Sequence, residues 1–394
     1  MDVKGFPQSV LTRRSNAAAG RRAPALFVGS RFCRSRGFGR NHPLAIPRVA
    51  AVMDLCEALG WLAADEFRRA PAATFEQLIA FHDADYVEAL RAAESAGTVA
   101  PDVRERHNFG NLENPLFPGV FERAATAVGG SILAAELALE GRIVFHPAGG
   151  THHGRRDRAS GFCFFNDPVF AIRALLDRGA RRVLYVDVDA HHCDGVQAAF
   201  AGDRRTMLVS IHEAGRWPYT GAAGDDGGGN AINLPVPPGC NEAEFLCMVE
   251  EVVLPAGAAF APDAVVITCG TDALAGDPLS RMALGNGALW SAVLALSALA
   301  GPTVVLGGGG YNPWTLARCW TGLWGLLSGR RIPDSLPPAA RAVLAGLDCD
   351  LVDDEDRRPE WFTTLADGPC EGEVREAVRE LVARRARGEM HELA

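Results

Sequence analysis

Short runs of apolar, mostly β-branched residues recur along this chain and alternate with longer stretches of helical apolar spacing. This alternation is typical of a parallel β-sheet whose strands are joined by helical crossovers. The runs are almost continuously apolar, as expected of strands covered by helices on both faces of the sheet. The clearest predicted strands are residues 143–146, 183–188, 207–212, 264–269 and 303–306. The helices predicted between them are residues 119–141, 168–178, 242–260, 287–299 and 315–327.

The sequence predicts one α/β domain with a shorter segment at each end. Residues 25–331 carry the alternating pattern, and a chain of 394 residues can wind a single sheet of this kind. Residues 1–24 are basic and predict a flexible N-terminal arm, with an organelle transit peptide as the alternative. Residues 332–394 are richer in proline and charge, and predict a C-terminal extension that packs on the domain or on a partner.

Composition excludes several classes of partner. The formal net charge of −9 argues against nucleic-acid binding, which needs basic surface. No apolar stretch approaches the roughly 20 residues that cross a membrane. The ten cysteines form no C-x-x-C pair, so we predict free thiols and a reducing, cytoplasmic environment. Composition leaves open whether the chain forms a homo-oligomer.

The most informative motif follows the predicted strand at residues 183–188. There the chain places Asp187, Asp189 and His191 at alternate positions, so the three side chains share one face if the strand continues. Two carboxylates packed side by side in an apolar setting are costly unless a cation compensates their charge, and a metal ion is the simplest compensation. The alternative is a solvated acidic loop, which the apolar strand disfavours.

A further aspartate, Asp272, follows a glycine at the end of the predicted strand 264–269. Ligands of open α/β sheets bind outside the carboxyl ends of the strands, so Asp272 can join Asp189 and His191 in one crevice. Three protein ligands with a vacant fourth position are typical of a catalytic zinc site. The sequence therefore predicts one catalytic zinc.

Two other predicted strands end in residues suited to proton transfer and charge stabilisation. Tandem His152 and His153 follow residues 143–146, and one imidazole can be a general base with the other as its electrostatic or acid partner. Tyr311 follows four glycines after residues 303–306 and can present its hydroxyl to a developing oxyanion. No Lys-Ser/Thr follows these glycines, which excludes a phosphate loop. The alternatives are structural histidines and an ordinary core tyrosine.

Together these segments resemble the zinc-dependent histone deacetylase family, which includes bacterial acetoin-utilisation proteins and acetylpolyamine amidohydrolases. The likeness covers about residues 25–327, with the motifs in the family's order. It implies a single arginase/deacetylase-type domain with a central, mostly parallel sheet and helices on both faces. It also implies the roles of the site residues. Zinc would be bound by Asp189, His191 and Asp272, and the catalytic set would be His152 paired with Asp187, His153 paired with Asp194, and Tyr311.

The resemblance also implies residues that contact the substrate. Gly161 and Phe162 match the family's tunnel-wall motif, and Trp217 falls near the opposite wall, where the family usually has phenylalanine. Glu113 resembles the acidic residue of the rim loop. Leu279 stands where polyamine-specific members carry a glutamate.

Members of the family also hold a structural potassium ion, whose implied ligands here are Asp187, Asp189, His191 and Ser210. The implied function is that of a zinc-dependent deacylase, which hydrolyses the amide of acetyl-lysine or a related N-acyl amine with a zinc-activated water. Partners would then be an acylated lysine in a protein or peptide, or a small N-acyl amine. One alternative is an acetylpolyamine or other small-amine amidohydrolase. Another is a catalytically silent protein that binds acyl-lysine.

An arginase-like ureohydrolase with two manganese ions is a further rival. Such a centre needs additional carboxylates, and this chain has His192 where one of them is wanted. We therefore expect one catalytic metal ion per chain.

Overall fold

Parallel strands form the centre of the molecule in the computed structural model, which describes residues 23–30, 37–39, 42–368 and 372–387. The described strands are β1 (Leu26–Gly29), β2 (Phe67–Arg69), β3 (Ile143–His146), β4 (Val183–Asp187), β5 (Thr206–Glu213), β6 (Ala231–Val236), β7 (Ala264–Thr268) and β8 (Thr303–Leu306). They form one sheet in the order β2-β1-β3-β8-β7-β4-β5-β6, and every neighbouring pair is parallel. The predicted α/β class is confirmed.

Helices connect the strands and cover both faces of the sheet. They are α1 (Arg48–Ala58), α2 (Phe75–Leu78), α3 (Ala84–Ala96), α4 (Pro101–His107), α5 (Val120–Ala138), α6 (Asp167–Asp177), α7 (Asp194–Phe200), α8 (Glu242–Met248), α9 (Leu254–Phe260), α10 (Asn286–Ser297), α11 (Pro313–Leu327), α12 (Pro338–Ala345) and α13 (Glu376–Ala386). Alternate residues of β4 enter opposite cores: Leu184 and Val186 join one apolar cluster, Val183 and Tyr185 the other. Burial on both faces explains the continuous apolar runs.

The predicted helix at residues 242–260 is interrupted in the structure. A π-helical segment, Val249–Val253, separates α8 from α9. Pro255 has no backbone N–H to donate, and its ring collides with the carbonyl four residues earlier in a regular α-helix. The wider π turn just before it accommodates the proline without ending the helix.

The described part of the C-terminal segment packs on the domain. Leu336, Leu344 and Trp361 are buried in the same apolar cluster as β4 and β7. The buried guanidinium of Arg318 in α11 donates to the carbonyl oxygens of Thr364 and Ala366. The predicted N-terminal arm lies outside the described residues, apart from residues 23 and 24.

The described residues bear on the predicted free thiols and on the predicted lack of a membrane-spanning segment. The cysteines in these residues are all free, as predicted, and Cys33 and Cys370 lie outside them. None of the described helices combines the length and the apolar character needed to cross a membrane.

Candidate active site

Four neighbouring strands bring the predicted motifs to one edge of the sheet. In the order β3-β8-β7-β4, each strand is followed at its carboxyl end by a motif, at residues 147–154, 307–311, 269–277 and 188–194 respectively. Parallel strands all end at the same edge, so segments far apart in the sequence converge there.

Asp189, His191 and Asp272 form a buried cluster at this edge. One ligand atom from each lies within 4.8 Å of the others. The Nδ1 atom of His191 is 3.2 Å from a carboxylate oxygen of Asp189 and 2.9 Å from one of Asp272. Two backbone N–H groups orient the carboxylates: Gly309 donates to Asp189 at 2.5 Å, and Ala190 donates to Asp272 at 3.0 Å.

The charges in this cluster call for a cation. Burial, together with the charge of Asp189, raises the pKa of Asp272 to about 6. Burial opposes protonation of His191, but its hydrogen bonds to Asp189 and Asp272 outweigh burial and raise its pKa to about 10. The raised pKa values of Asp272 and His191 both show that the two carboxylates, Asp189 and Asp272, attract positive charge at this position.

The donor set fits a zinc ion. Imidazole nitrogen and carboxylate oxygen are zinc ligands, and atoms bound at about 2 Å by one tetrahedral ion lie roughly 3.3 Å apart. The observed separations of 2.9 and 3.2 Å are close to that value. Asp189, His191 and Asp272 would hold the ion and leave a fourth position open.

His152 and His153 lie beside the cluster, each oriented by an aspartate. Nδ1 of His152 is 2.7 Å from Asp187, and Nδ1 of His153 is 2.7 Å from Asp194. Burial lowers the pKa of His152, but the charges of Asp187 and Asp189 outweigh it and raise the pKa to about 9. Burial and the charge of His152 lower the pKa of His153 to about 3. The two imidazoles therefore differ in protonation near neutral pH.

Tyr311 is buried at the end of the glycine run 307–310. Its backbone N–H donates to Asp277 at 2.7 Å, and the other oxygen of Asp277 accepts from the N–H of Leu279 at 2.9 Å. Burial and the neighbouring carboxylates of Asp272 and Asp189 raise the pKa of Tyr311 well above its ordinary value. The hydroxyl therefore stays protonated and can donate a hydrogen bond.

A cavity of about 540 Å³ leads from the surface to these groups. His153, His191 and Tyr311 line its inner part. The residues predicted to contact substrate, Glu113, Gly161, Phe162, Trp217 and Leu279, all line the same cavity.

Two aromatic rings of this cavity stand close to catalytic candidates. The ring of Trp217 is 4.6 Å from that of His153, and the ring of Phe162 is 6.0 Å from that of Tyr311. The carboxylate of Glu113 accepts from the N–H of Gly161 at 2.6 Å, so it is already engaged within the chain.

A second cavity, of about 700 Å³, lies on the other side of Phe162, whose side chain lines both. Arg48 and Cys349 are among its lining residues. The guanidinium of Arg48 donates to the carbonyl oxygen of Gly308, and the Cys349 thiol is 3.6 Å from the carbonyl oxygen of Tyr311. This cavity therefore lies against the glycine run.

Several residues that support the site were not predicted. Arg155 forms an ion pair with Asp194, and the Tyr185 hydroxyl donates to Asp187 at 2.5 Å. Asp277 closes a turn with Leu279 and also holds the backbone of Tyr311. Period-two alternation along β4 could have indicated Tyr185, which shares a face with Asp187.

Comparisons with known proteins agree with this geometry. A family model described as histone deacetylase domain matches residues 42–327. Histone deacetylase 8 of Xenopus tropicalis is 34% identical over 302 residues, which cover 74% of this chain and 81% of that protein. Histone deacetylase 1 of Homo sapiens is 34% identical over 314 residues, which cover 76% of this chain and 64% of that protein.

Solved structures agree as well. The crystal structure of an HDAC homologue from Aquifex aeolicus matches with a TM-score of 0.88 at 36% identity, over 92% of this chain and all of that one. An HDAC homologue complexed with SAHA matches with a TM-score of 0.87 at 35% identity and the same coverage. The fold, the buried Asp-His-Asp cluster and these matches together show that the chain belongs to the zinc-dependent histone deacetylase family.

Proposed function

We propose that this protein is a zinc-dependent deacylase that hydrolyses the amide of acyl-lysine in a peptide or protein. The observation that carries the proposal is the buried cluster of Asp189, His191 and Asp272 at the inner end of a cavity that His153 and Tyr311 also line. The relatives named histone deacetylase and the homologue solved with SAHA support this class of substrate. We also propose that the chain belongs to the bacterial branch of the family, which includes the acetoin-utilisation proteins and acetylpolyamine amidohydrolases.

The residues of this chain divide the chemistry among them. A zinc ion held by Asp189, His191 and Asp272 would supply a Lewis acid for the acyl carbonyl and would make water more acidic. Tyr311 donates its hydroxyl hydrogen to the carbonyl oxygen as negative charge develops there. His153 is neutral and its Nδ1 is held by Asp194, so its Nε2 can accept a proton from water. The imidazolium formed in this way returns that proton to the leaving amine.

His152 acts mainly through its charge. Its raised pKa of about 9 keeps it protonated at neutral pH, with Asp187 as its partner. A fixed positive charge beside the reacting carbonyl stabilises the oxyanion and keeps the neighbouring His153 neutral.

Leu279 at the mouth favours acyl-lysine over acetylpolyamines. A glutamate at this position would attract the second cationic amine of a polyamine, whereas leucine offers no such charge. We therefore place acetyl-lysine peptides ahead of acetylspermidine as substrates.

The two-manganese alternative is disfavoured by the surroundings of His192. Its two ring nitrogens lie 2.8 Å from the Thr220 hydroxyl and 3.0 Å from the Gln197 side chain, so both are engaged. Among the described residues, the one candidate metal cluster is Asp189, His191 and Asp272.

We also propose a structural potassium ion held by Asp187, Asp189, His191 and Ser210. Asp187 and Ser210 are register partners on β4 and β5 and are both buried. Potassium would compensate the adjacent buried carboxylates, and carboxylate, hydroxyl and carbonyl oxygens suit such a cation.

Metal-dependent hydrolysis of a fluorogenic acetyl-lysine peptide tests this function. We expect a chelator to abolish turnover, zinc to restore it, and the Asp272→Asn variant to lose both zinc and activity. Metal analysis of the dialysed protein should give one zinc per chain and retained potassium. Full turnover by protein shown to be free of zinc would overturn the deacylase mechanism. Two transition-metal ions per chain would favour an arginase-like ureohydrolase. Absence of potassium would overturn only the proposed structural potassium site.

A further inference from the structure

The acidic side chains at the mouth of the catalytic cavity are engaged within the chain. Glu113 accepts from the N–H of Gly161 at 2.6 Å and from the side-chain amide of Asn108 at 3.3 Å. Glu213 is paired with Arg216 at 2.8 Å. The charge of Glu213 is therefore compensated by an arginine, and the Glu113 carboxylate is held in place by two neutral donors.

Arg281 is held at the same mouth by its backbone. Its N–H donates to Glu213 at 2.7 Å, and its carbonyl oxygen accepts from the N–H of Gly239 at 2.8 Å. The residue is exposed and lines the cavity. Its guanidinium has no hydrogen bond or ion pair to any residue in the part of the chain that the structure describes.

The neighbouring arginine differs in this respect. Arg216 donates to the carbonyl oxygen of Leu279 at 2.8 Å and pairs with Glu213, so its charge is already compensated. Of the two arginines that line the mouth, Arg281 is the one without an ion pair to the described residues. An unpaired guanidinium is therefore exposed at the entrance, although the whole chain carries a formal charge of −9.

From this arrangement we infer that Arg281 is a specificity-determining residue, which binds a carboxylate carried by the substrate next to its acylated amine. The inference rests on the proposed deacylase function and refines its substrate class. A guanidinium can bind a carboxylate through two parallel hydrogen bonds. Leu279, two residues earlier, adds no negative charge at this corner, and the nearby Glu213 carboxylate is already paired with Arg216. A polyamine, which is cationic throughout, meets repulsion from Arg281.

The carboxylate can have two sources: an acidic residue that flanks acyl-lysine in a polypeptide, or the α-carboxylate of free acyl-lysine. Two matched substrate pairs distinguish them. One pair is an acetyl-lysine peptide with flanking glutamate and the same peptide with glutamine. The other pair is Nε-acetyl-lysine and its α-amide. Each is assayed with the wild-type protein and the Arg281→Gln and Arg281→Glu variants.

We expect kcat/KM to be about fivefold higher for the anionic member of at least one pair, the effect of one exposed ion pair. The preference should lie in KM rather than kcat because Arg281 does not touch the reacting atoms. It should disappear in Arg281→Gln, reverse in Arg281→Glu and weaken at high salt.

Arg204→Gln is the matched control. Arg204 is also exposed, but it lies just before the amino end of β5, whereas the catalytic cavity lies at the carboxyl ends of the strands. This variant should therefore keep the wild-type preference. A wild-type enzyme that turns over both members of both pairs equally would overturn the inference, as would a preference that survives Arg281→Gln. Both outcomes leave the deacylase function intact. Loss of all zinc-dependent turnover by the wild type would instead overturn the proposed function.

Discussion

His152 and His153 are adjacent in the sequence and have the same kind of partner, yet their pKa values are about 9 and about 3. The cause is the second neighbour of each ring. Nε2 of His152 lies 3.8 Å from the buried carboxylate of Asp189, whereas His153 lies beside the positively charged His152. Two adjacent histidines can thus include one that is protonated and one that is neutral and can accept a proton.

Tyr311 gives the sharpest prediction at the scale of single residues. Tyr311→Phe removes the hydroxyl but keeps the ring and the backbone bond to Asp277. Loss of one oxyanion donor typically costs 10²–10³-fold in kcat, so we expect a loss of about that size. The variant should still bind one zinc by metal analysis. Turnover within a few-fold of wild type would show that Tyr311 has no part in oxyanion stabilisation.

The sequence was sufficient to predict that Asp189, His191 and Asp272 lie close together, but not which residues hold the neighbouring loops in place. Asp189, His191 and Asp272 follow apolar strands, and the parallel sheet brings those strand ends together. The bonds from Asp277 to the Tyr311 backbone and from Arg155 to Asp194 join irregular segments. Strand periodicity does not determine how such loops fold against each other, so these contacts could not be predicted.

Among the strands, too, some could be predicted from the sequence and others could not. The central strands β4, β7 and β8 were predicted because both of their faces are buried. Three strands were missed. The interior strand β1 is buried but was not predicted. The other two are the edge strands: β2 is Phe67–Arg69, with two arginines, and β6 contains Pro235. A proline lacks the N–H of a ladder hydrogen bond and is tolerated at a sheet edge. Edge strands therefore lack the continuous apolar run that indicates a central one.

His82 connects two irregular segments and makes their association sensitive to pH. The N–H of Asn166 donates to its Nε2 at 3.1 Å, and its Nδ1 lies 3.2 Å from the carbonyl oxygen of Arg156. The ring must be neutral to accept the first bond. Burial accordingly lowers the pKa of His82 from 6.5 to about 4.

This lowered pKa predicts how stability changes with pH. Between pH 6.5 and 4 the unfolded chain binds a proton at His82 and the folded chain does not, so stability falls as pH falls through this range. The contribution of His82 can reach about 3 kcal/mol. Urea unfolding of the wild type and His82→Gln should give free-energy curves that converge as pH falls through this window. Parallel curves would show that His82 titrates alike in both states.

The described part of the C-terminal segment contributes residues to the main core. Arg318 is fully buried, and its bonds to Thr364, Ala366 and Asp367 join α11 to this segment. The apolar side chains of Leu336 and Trp361 lie in the main cluster. The family model ends at residue 327, so the matched region alone does not contain every residue that closes the core.

We therefore expect Arg318→Met to destabilise the protein. The change leaves the Asp367 carboxylate without its cation and the Thr364 carbonyl oxygen without its donor, which costs about 3 kcal/mol. The effect should appear as a lower free energy of unfolding in urea. Arg204→Met, at an exposed position, should change it by less than about 0.5 kcal/mol. Equal effects of the two substitutions would contradict a role for Arg318 in holding the C-terminal segment.

The glycine run at residues 307–310 has a consequence for directed evolution. A methyl group on Gly309 would overlap the Asp272 carboxylate, and the glycines at 308 and 310 have φ angles of 129° and 134°, which other residues rarely adopt. A library that randomises these four codons would consist mostly of inactive variants. Substitutions of Trp217 and Tyr219, which line the cavity and lie outside the glycine run, are better suited to selecting new acyl-amine preferences.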